Sequence, residues 1–210
     1  YDDYCFPKKY TLQLPQKFVS NFINPNTPYM DLLIYHRIGS GKTCAAIQIG
    51  EKFKKQKRVI VVLPASLRGN FRNELRSPCA GTSYITEKER KELDNLDPRN
   101  PRYDEIMNKT NEKIDRYYEI YSYNKFVELV DEDSFNLKNA LLIIDEIQNM
   151  ISEKGTYYWA LHKAIKKAPK DLRIVLLSAT PMFDKPSELA LTLNLLRLPK
   201  PMPTGKEFYR

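Results

Sequence analysis

The sequence reads as an α/β domain in which a mainly parallel sheet carries helices on both faces. Three observations lead there. Short apolar runs recur along the chain, helical patterns alternate with them, and 210 residues with 42% hydrophobic content suffice for one full core. The runs, at residues 32–35, 59–63, 118–121, 141–144 and 174–177, are nearly continuous rather than alternating. Strands buried on both sides, between two helical layers, have that pattern.

The helical patterns fall at residues 42–54, 67–75, 124–130, 157–167 and 187–196, so strand and helix alternate as in a doubly wound domain. The stretch 86–116 departs from this. It is dense in alternating acids and bases and poor in large aliphatic side chains, and Pro98 and Pro101 argue against one continuous helix. It reads as a charged, solvated helical insertion broken by a turn. The domain is expected to span 1–198, with residues 199–210 (Pro199, Pro201, Pro203) beginning a linker. A first residue other than Met reads as a piece of a longer chain.

The formal net charge is +8 and the pI about 9.2. A positive field suits a polyanion partner, although many soluble domains are basic without one. Cys5, Cys44 and Cys79 form neither the even set of a disulfide framework nor zinc-ligand spacing, so reduced thiols are expected. No apolar run nears the roughly 20 residues of a membrane span, and the N-terminus is no signal peptide. The expectation is a soluble, intracellular protein with no membrane partner.

The sharpest local signal is Gly39-Ser40-Gly41-Lys42-Thr43, after a strand and at the opening of a helix. Glycines let the backbone curl so that several N–H groups point at phosphate oxygens. The positive end of the new helix adds to the same spot. Lys42 is then set to reach the β and γ phosphates of ATP, and the Thr43 hydroxyl to ligate Mg2+. The full P-loop pattern would carry glycine at position 36, where this chain has His36, and that departure weakens a nucleotide-kinase reading. A second signal is the apolar run 140–144 ending in Asp145-Glu146. Successive strand side chains diverge, so Asp145 is expected to hold magnesium and Glu146 to activate the attacking water. The plainer alternative is that both acids cap the following helix.

Together these segments resemble the superfamily 2 helicases and translocases. Asp145-Glu146-Ile147-Gln148 resembles their DExx box, and Ser178-Ala179-Thr180-Pro181 their third motif. Residues 61–67, followed by Phe71 and Glu74, are similar to motif Ia of the Swi/Snf-like branch. Tyr121-Ser122-Tyr123 sits where that branch carries a Thr-Tyr-like segment. His36, the run 177–182 and Pro186-Ser187-Glu188-Leu189 resemble helicase-like transcription ATPases of large nucleo-cytoplasmic DNA viruses, of the poxvirus early transcription factor small-subunit type.

The resemblance implies an N-terminal RecA-like P-loop domain that uses ATP and Mg2+. It implies that Gln148 links the nucleotide site to the third motif, and that Ser178, Ala179 and Thr180 couple hydrolysis to movement. Leu14-Pro15-Gln16 resembles the glutamine motif, with the Gln16 amide reading the adenine edge. Motif Ia implies contact with the backbone of DNA or RNA, with Ser66, Arg68 and Ser122 as candidates and Arg72 and Lys125 adding charge. The implied partners are a second RecA-like domain in the same polypeptide and RNA polymerase or transcription factor subunits, in the cytoplasm of an infected cell or in the virion. The expected function is the ATP-binding half of a nucleic-acid-dependent ATPase in viral transcription, weak or inactive by itself. Two other readings stay open: a transcription subunit using ATP as a switch without unwinding, and a protein-directed ATPase of the AAA+ kind.

Overall fold

The computed structural model describes residues 10–37, 39–152, 155–180 and 185–210. The strands are β1 (Asp31–Tyr35), β2 (Arg58–Leu63), β3 (Tyr118–Ser122), β4 (Ala140–Ile144) and β5 (Arg173–Ser178). They form one sheet in the order β1-β5-β4-β2-β3, and every pairing is parallel. The helices are α1 (Leu14–Phe22), α2 (Lys42–Phe53), α3 (Arg68–Arg76), α4 (Glu87–Asn95), α5 (Pro101–Asp115), α6 (Tyr123–Asp131), α7 (Thr156–Lys167) and α8 (Pro186–Asn194).

Alternate side chains of a strand leave on opposite faces, and here both faces are apolar. Val59, Val61, Leu63, Leu141, Ile143, Val175 and Leu177 enter one core, closed by Val19 of α1, Ile47 and Phe53 of α2, and Phe71 and Leu75 of α3. Ile60, Val62, Leu142, Ile144, Ile174 and Leu176 enter the other, closed by Phe126 of α6, Leu161 of α7 and Leu191 of α8. The register pairs Tyr35 with Ser178, Leu176 with Ile144, and Ile144 with Val62. The carboxyl ends of β1, β5, β4 and β2 are therefore level along one edge, with β5 between β1 and β4.

The charged stretch folds as α4 and α5 with a break between them. Pro101 opens α5, where a missing N–H costs nothing, and Asn100 caps it through Oδ1, which accepts from Arg102 N at 2.9 Å. This stretch is less solvated than its charges suggest. Ile106, Thr110 and Ile114 are buried, and α3 reaches them with Arg76, itself only 6% exposed. Arg76 Nε donates to Thr110 Oγ1 at 2.7 Å, and its other nitrogens donate to Asn73 and Asn111. At the far end, residues 199–210 fold back on α8. The Asn194 amide donates to Met202 O at 3.0 Å and accepts from Met202 N at 2.8 Å.

One expectation is overturned. Cys44 on α2 and Cys79 in the 3-10 turn Pro78–Ala80 are not free thiols but a disulfide, with Cα atoms 5.8 Å apart and a sequence separation of 35. Spacing along the chain gave no hint because packing makes the pair: α3 and the turn fold back over α2. By chain entropy, a loop of this size contributes about 3–4 kcal/mol. Cys5 lies outside the described residues, as do Pro181 and Met182.

Replacing Arg76 removes the buried donors to Thr110 Oγ1, Asn73 and Asn111. Arg76→Ala is expected to lower unfolding free energy by about 2–3 kcal/mol, read from the urea midpoint. Arg72→Ala breaks a pair with the half-exposed Asp115 and a 3.3 Å hydrogen bond to Asn111 Oδ1, and is expected to cost under about 1 kcal/mol. Equal losses would show that Arg76 is not the tie between α3 and α5.

Candidate active site at the carboxyl edge of the sheet

The loop after β1 turns on two glycines. Gly39 and Gly41 have φ of +79° and +76°, a region that strains any side chain. Gly41 is also hemmed in, since a Cβ there would lie 2.2 Å from Gln16 Nε2. Its carbonyl accepts from Ala45 N at 3.0 Å and so starts α2 at Lys42. The Ser40 hydroxyl folds back onto the Arg37 carbonyl at 2.6 Å. Gln16 is buried with both ends of its amide engaged by the chain: Oε1 accepts from Gln13 N at 2.9 Å, and Nε2 donates to Gly41 O at 3.3 Å.

After β4, Asp145 N still donates to Val62 O at 2.9 Å, and the chain then leaves the sheet through Glu146. Glu146 has φ 52° and ψ 48°, the left-handed region, which is costly for a residue with a Cβ. Five contacts hold it there, one of them the Asn149 N–H, which donates to its carbonyl at 3.0 Å. Its N–H donates to Asp145 Oδ1 at 3.0 Å, and its carbonyl accepts from the Tyr123 hydroxyl at 2.9 Å. Its Oε1 accepts from Lys42 Nζ at 2.6 Å and its Oε2 from Gln148 Nε2 at 2.5 Å. The Tyr123 hydroxyl also donates to Asp145 O at 2.6 Å. Burial keeps this phenol neutral by pushing its pKa up.

The contacts continue as a relay. Gln148 Oε1 accepts from Ser178 Oγ at 2.8 Å, and that oxygen accepts from Thr180 N at 3.0 Å. Ser178 O in turn accepts from His36 N at 3.2 Å, back at the glycine loop. The two acids differ electrically. Burial raises the Asp145 carboxyl; the nearby Lys42 opposes this, and Glu146 adds to it. Burial pushes Glu146 the same way, but hydrogen bonds from Lys42 and Gln148 outweigh it and hold that carboxyl low.

Gly39, Gly41, Lys42, Thr43, Asp145 and Glu146 line one pocket of about 440 Å³. The residue types suit a hard cation. Asp145 is a buried carboxylate facing the same pocket as the Thr43 hydroxyl, and both are oxygen donors of the kind magnesium takes. The pocket's other wall is α3 and its approach, through Leu67, Asn70, Phe71 and Glu74. Sequence reasoning assigned Asn70 no role and used Phe71 and Glu74 only as marks of resemblance. Their spacing at i, i+1 and i+4 on one amphipathic helix was the available signal.

A second depression of about 410 Å³ joins Ser66 to Gln148, Ala179 and Thr180, so the segments carrying the motif Ia and third-motif resemblances share one surface. Arg68 is exposed beside it in sequence. Ser122 is not among its lining residues; its hydroxyl caps α6 by accepting from Lys125 N at 3.3 Å. Arg72 and Lys125 are engaged in ion pairs with Asp115 and Glu128.

Comparison with known proteins matches this architecture. The chain is 55% identical over 208 residues to a protein of Acanthamoeba polyphaga mimivirus that carries the name ATP-dependent RNA helicase, covering 99% of this chain and 36% of that protein. It is 26% identical to a protein of African swine fever virus named a termination factor NPH-I homolog, covering 79% of this chain and 22% of that one. The chain thus spans about a third or less of the length of these curated relatives. Among solved structures, the SWI2/SNF2 ATPase core of Sulfolobus solfataricus in complex with double-stranded DNA shares the fold, with a TM-score of 0.59, 19% identity, and coverage of 90% of this chain and 36% of that one. Residues 17–189 match the DEAD/DEAH box helicase family. With the glycine loop, the paired acids and the Ser178 relay on one edge of a parallel sheet, the chain belongs to that family of helicases.

Proposed function

We propose that this chain is the ATP- and magnesium-binding half of a nucleic-acid-dependent motor, a helicase or translocase, acting in viral transcription. The observation that carries the reading is the relay from Lys42 through Glu146 and Gln148 to Ser178, which joins the phosphate pocket to the depression holding Ser66 and Thr180. A nucleotide site wired to a second surface is what coupling requires.

In this reading the loop amides and the positive end of α2 take the β and γ phosphates. Thr43 and Asp145 would hold magnesium, which would supply charge to neutralise the phosphate oxygens. Lys42 leaves Glu146 for phosphate, and the freed Glu146 carboxylate takes a proton from the water that attacks the γ-phosphorus, releasing ADP and inorganic phosphate. Losing Lys42 removes one of the two hydrogen bonds that hold the Glu146 pKa low, which makes it a better base as it is called upon. Adenine, if read by Gln16, competes with Gly41 and Gln13 for that amide.

The DNA or RNA backbone is assigned to the edge bearing Ser66, Arg68, Ala179 and Thr180, with Ser122 in register with Leu63 on the same edge. A second RecA-like domain in the same polypeptide supplies an arginine finger, worth roughly 10³–10⁵ in rate in related systems, so residues 1–210 alone hydrolyse ATP poorly. The transcription role, with RNA polymerase or transcription factor subunits as partners, is supported by the name of the African swine fever virus relative. That role fits the cytoplasm of an infected cell or the virion as its location.

In the full-length protein with polynucleotide present, Glu146→Gln is expected to cut turnover by about 10²–10⁴ while nucleotide still binds. Lys42→Ala is expected to remove both. Unchanged turnover in Glu146→Gln, measured by phosphate release, would sink the assignment of the base. Ser178→Ala, which cuts the relay at its last link, is expected to keep basal hydrolysis within about threefold and to lose most stimulation by polynucleotide. Full stimulation in that variant would show that coupling runs elsewhere.

A further inference from the structure

The Cys44–Cys79 bridge has a position that the ATPase reading does not use. Cys44 lines the 440 Å³ pocket beside Lys42 and Thr43. Cys79 lines a separate hollow of about 490 Å³ with Tyr10, Leu12, Gln48 and Glu51. The bridge ties α2 to the arm that runs from residue 65 through α3 to the turn Pro78–Ala80. That arm supplies Asn70, Phe71 and Glu74 to the pocket wall. One covalent bond therefore ties that wall to the helix that follows the phosphate loop, while Arg76 ties it to α5.

We infer that Cys44–Cys79 is a reversible thiol–disulfide site that controls nucleotide affinity, closed for tight binding and open for weak binding. The inference rests on the nucleotide reading of the pocket given above. The exchange has a direction. Cys44 is the third residue of α2 after the Gly41 cap, close to the positive helix end, which stabilises a thiolate and makes Cys44 the better leaving group. A small dithiol approaches through the hollow that Cys79 lines, and reaches this 3%-exposed residue as the turn Pro78–Ala80 opens locally. One of its thiolates attacks Cys79 Sγ, the S–S bond breaks, and Cys44 leaves as a thiolate. The second thiol of the reductant then attacks its own sulfur in the mixed disulfide and expels Cys79. The reductant ends as a cyclic disulfide, and two electrons and two protons pass to the two cysteines.

Glu74 biases the resting state. Its carboxylate lies within 4.8 Å of both sulfurs, and a fixed negative charge there disfavours thiolates and so favours the bridge until reductant arrives. With the bridge open, the arm keeps Phe71 and Leu75 in the core and the Gln48 side chain still donates to Cys79 O. Asn70 and Glu74 then lose their fixed distance from Lys42, and a less preorganised wall binds more weakly.

The test is calorimetric titration of the 210-residue chain with magnesium–ADP, before and after reduction by dithiothreitol, with alkylation and intact mass to count thiols. The expected result is two additional alkylated cysteines and at least fivefold weaker binding after reduction. Cys79→Ser is expected to bind as weakly as the reduced protein and to ignore the reductant, with circular dichroism reporting its fold. If that variant does not fold, the oxidised and reduced wild-type forms still decide the matter. Equal affinity in the two states, or a Cys79→Ser protein that still responds to dithiothreitol, overturns the inference alone. Binding in neither state overturns the nucleotide reading and the inference with it. Tight binding restored to the reduced chain by one equivalent of zinc would make Cys44, Cys79 and Glu74 a metal site and overturn the switch.

Discussion

A lysine and a glutamate 104 residues apart share an ion pair of 2.6 Å, and the carboxyl edge of this domain is organised around it. Both side chains are largely withdrawn from water, at 9% and 22% exposure, so neither is content alone. Removing one partner of such a buried pair costs about 3–5 kcal/mol. Any ligand that takes Lys42 must offer at least as much negative charge as Glu146 does. The pair thus penalises weakly charged ligands at this position.

That pair exists because the sheet is parallel and because of the order of its strands. Parallel strands put every loop that leaves a carboxyl end on the same edge, and β5 lies between the strand that carries the glycine loop and the strand that carries the acids. Ser178 at the end of β5 therefore bonds to both neighbours, through Gln148 on one side and the His36 amide on the other. The α3 wall is held from outside by Arg76 reaching into α5, and from inside by Cys79. The charged insertion so acts as a buttress for the site as well as a solvated surface.

Much of this was legible in the residues. The five apolar runs mark the strands to within a residue at most ends, since burial on both faces leaves no alternation to misread. Gly39 to Thr43 and Asp145-Glu146 could be found because their chemistry demands particular residue types at particular steps. What stayed hidden depends on contacts between distant segments. Cys44 and Cys79 look unrelated along the chain and meet only once α3 folds back. Gln16 reads as an amide for the adenine edge, yet its neighbours engage both of its ends. The Tyr123 hydroxyl under the two acids belongs to the same class, because the resemblance of Tyr121-Ser122-Tyr123 to a motif does not say what that hydroxyl touches.

The left-handed backbone at Glu146 has its own consequence. Such a conformation stores of order 1–3 kcal/mol and persists only while its surroundings insist on it. Lys42 is one of five partners doing the insisting. Drawing Lys42 away loosens the latch, so part of the strain becomes available to swing residues 146–149, and with them Gln148, relative to β5. A cocked backbone of this kind lets a change of charge at one side chain appear as a movement of main chain a few ångströms away.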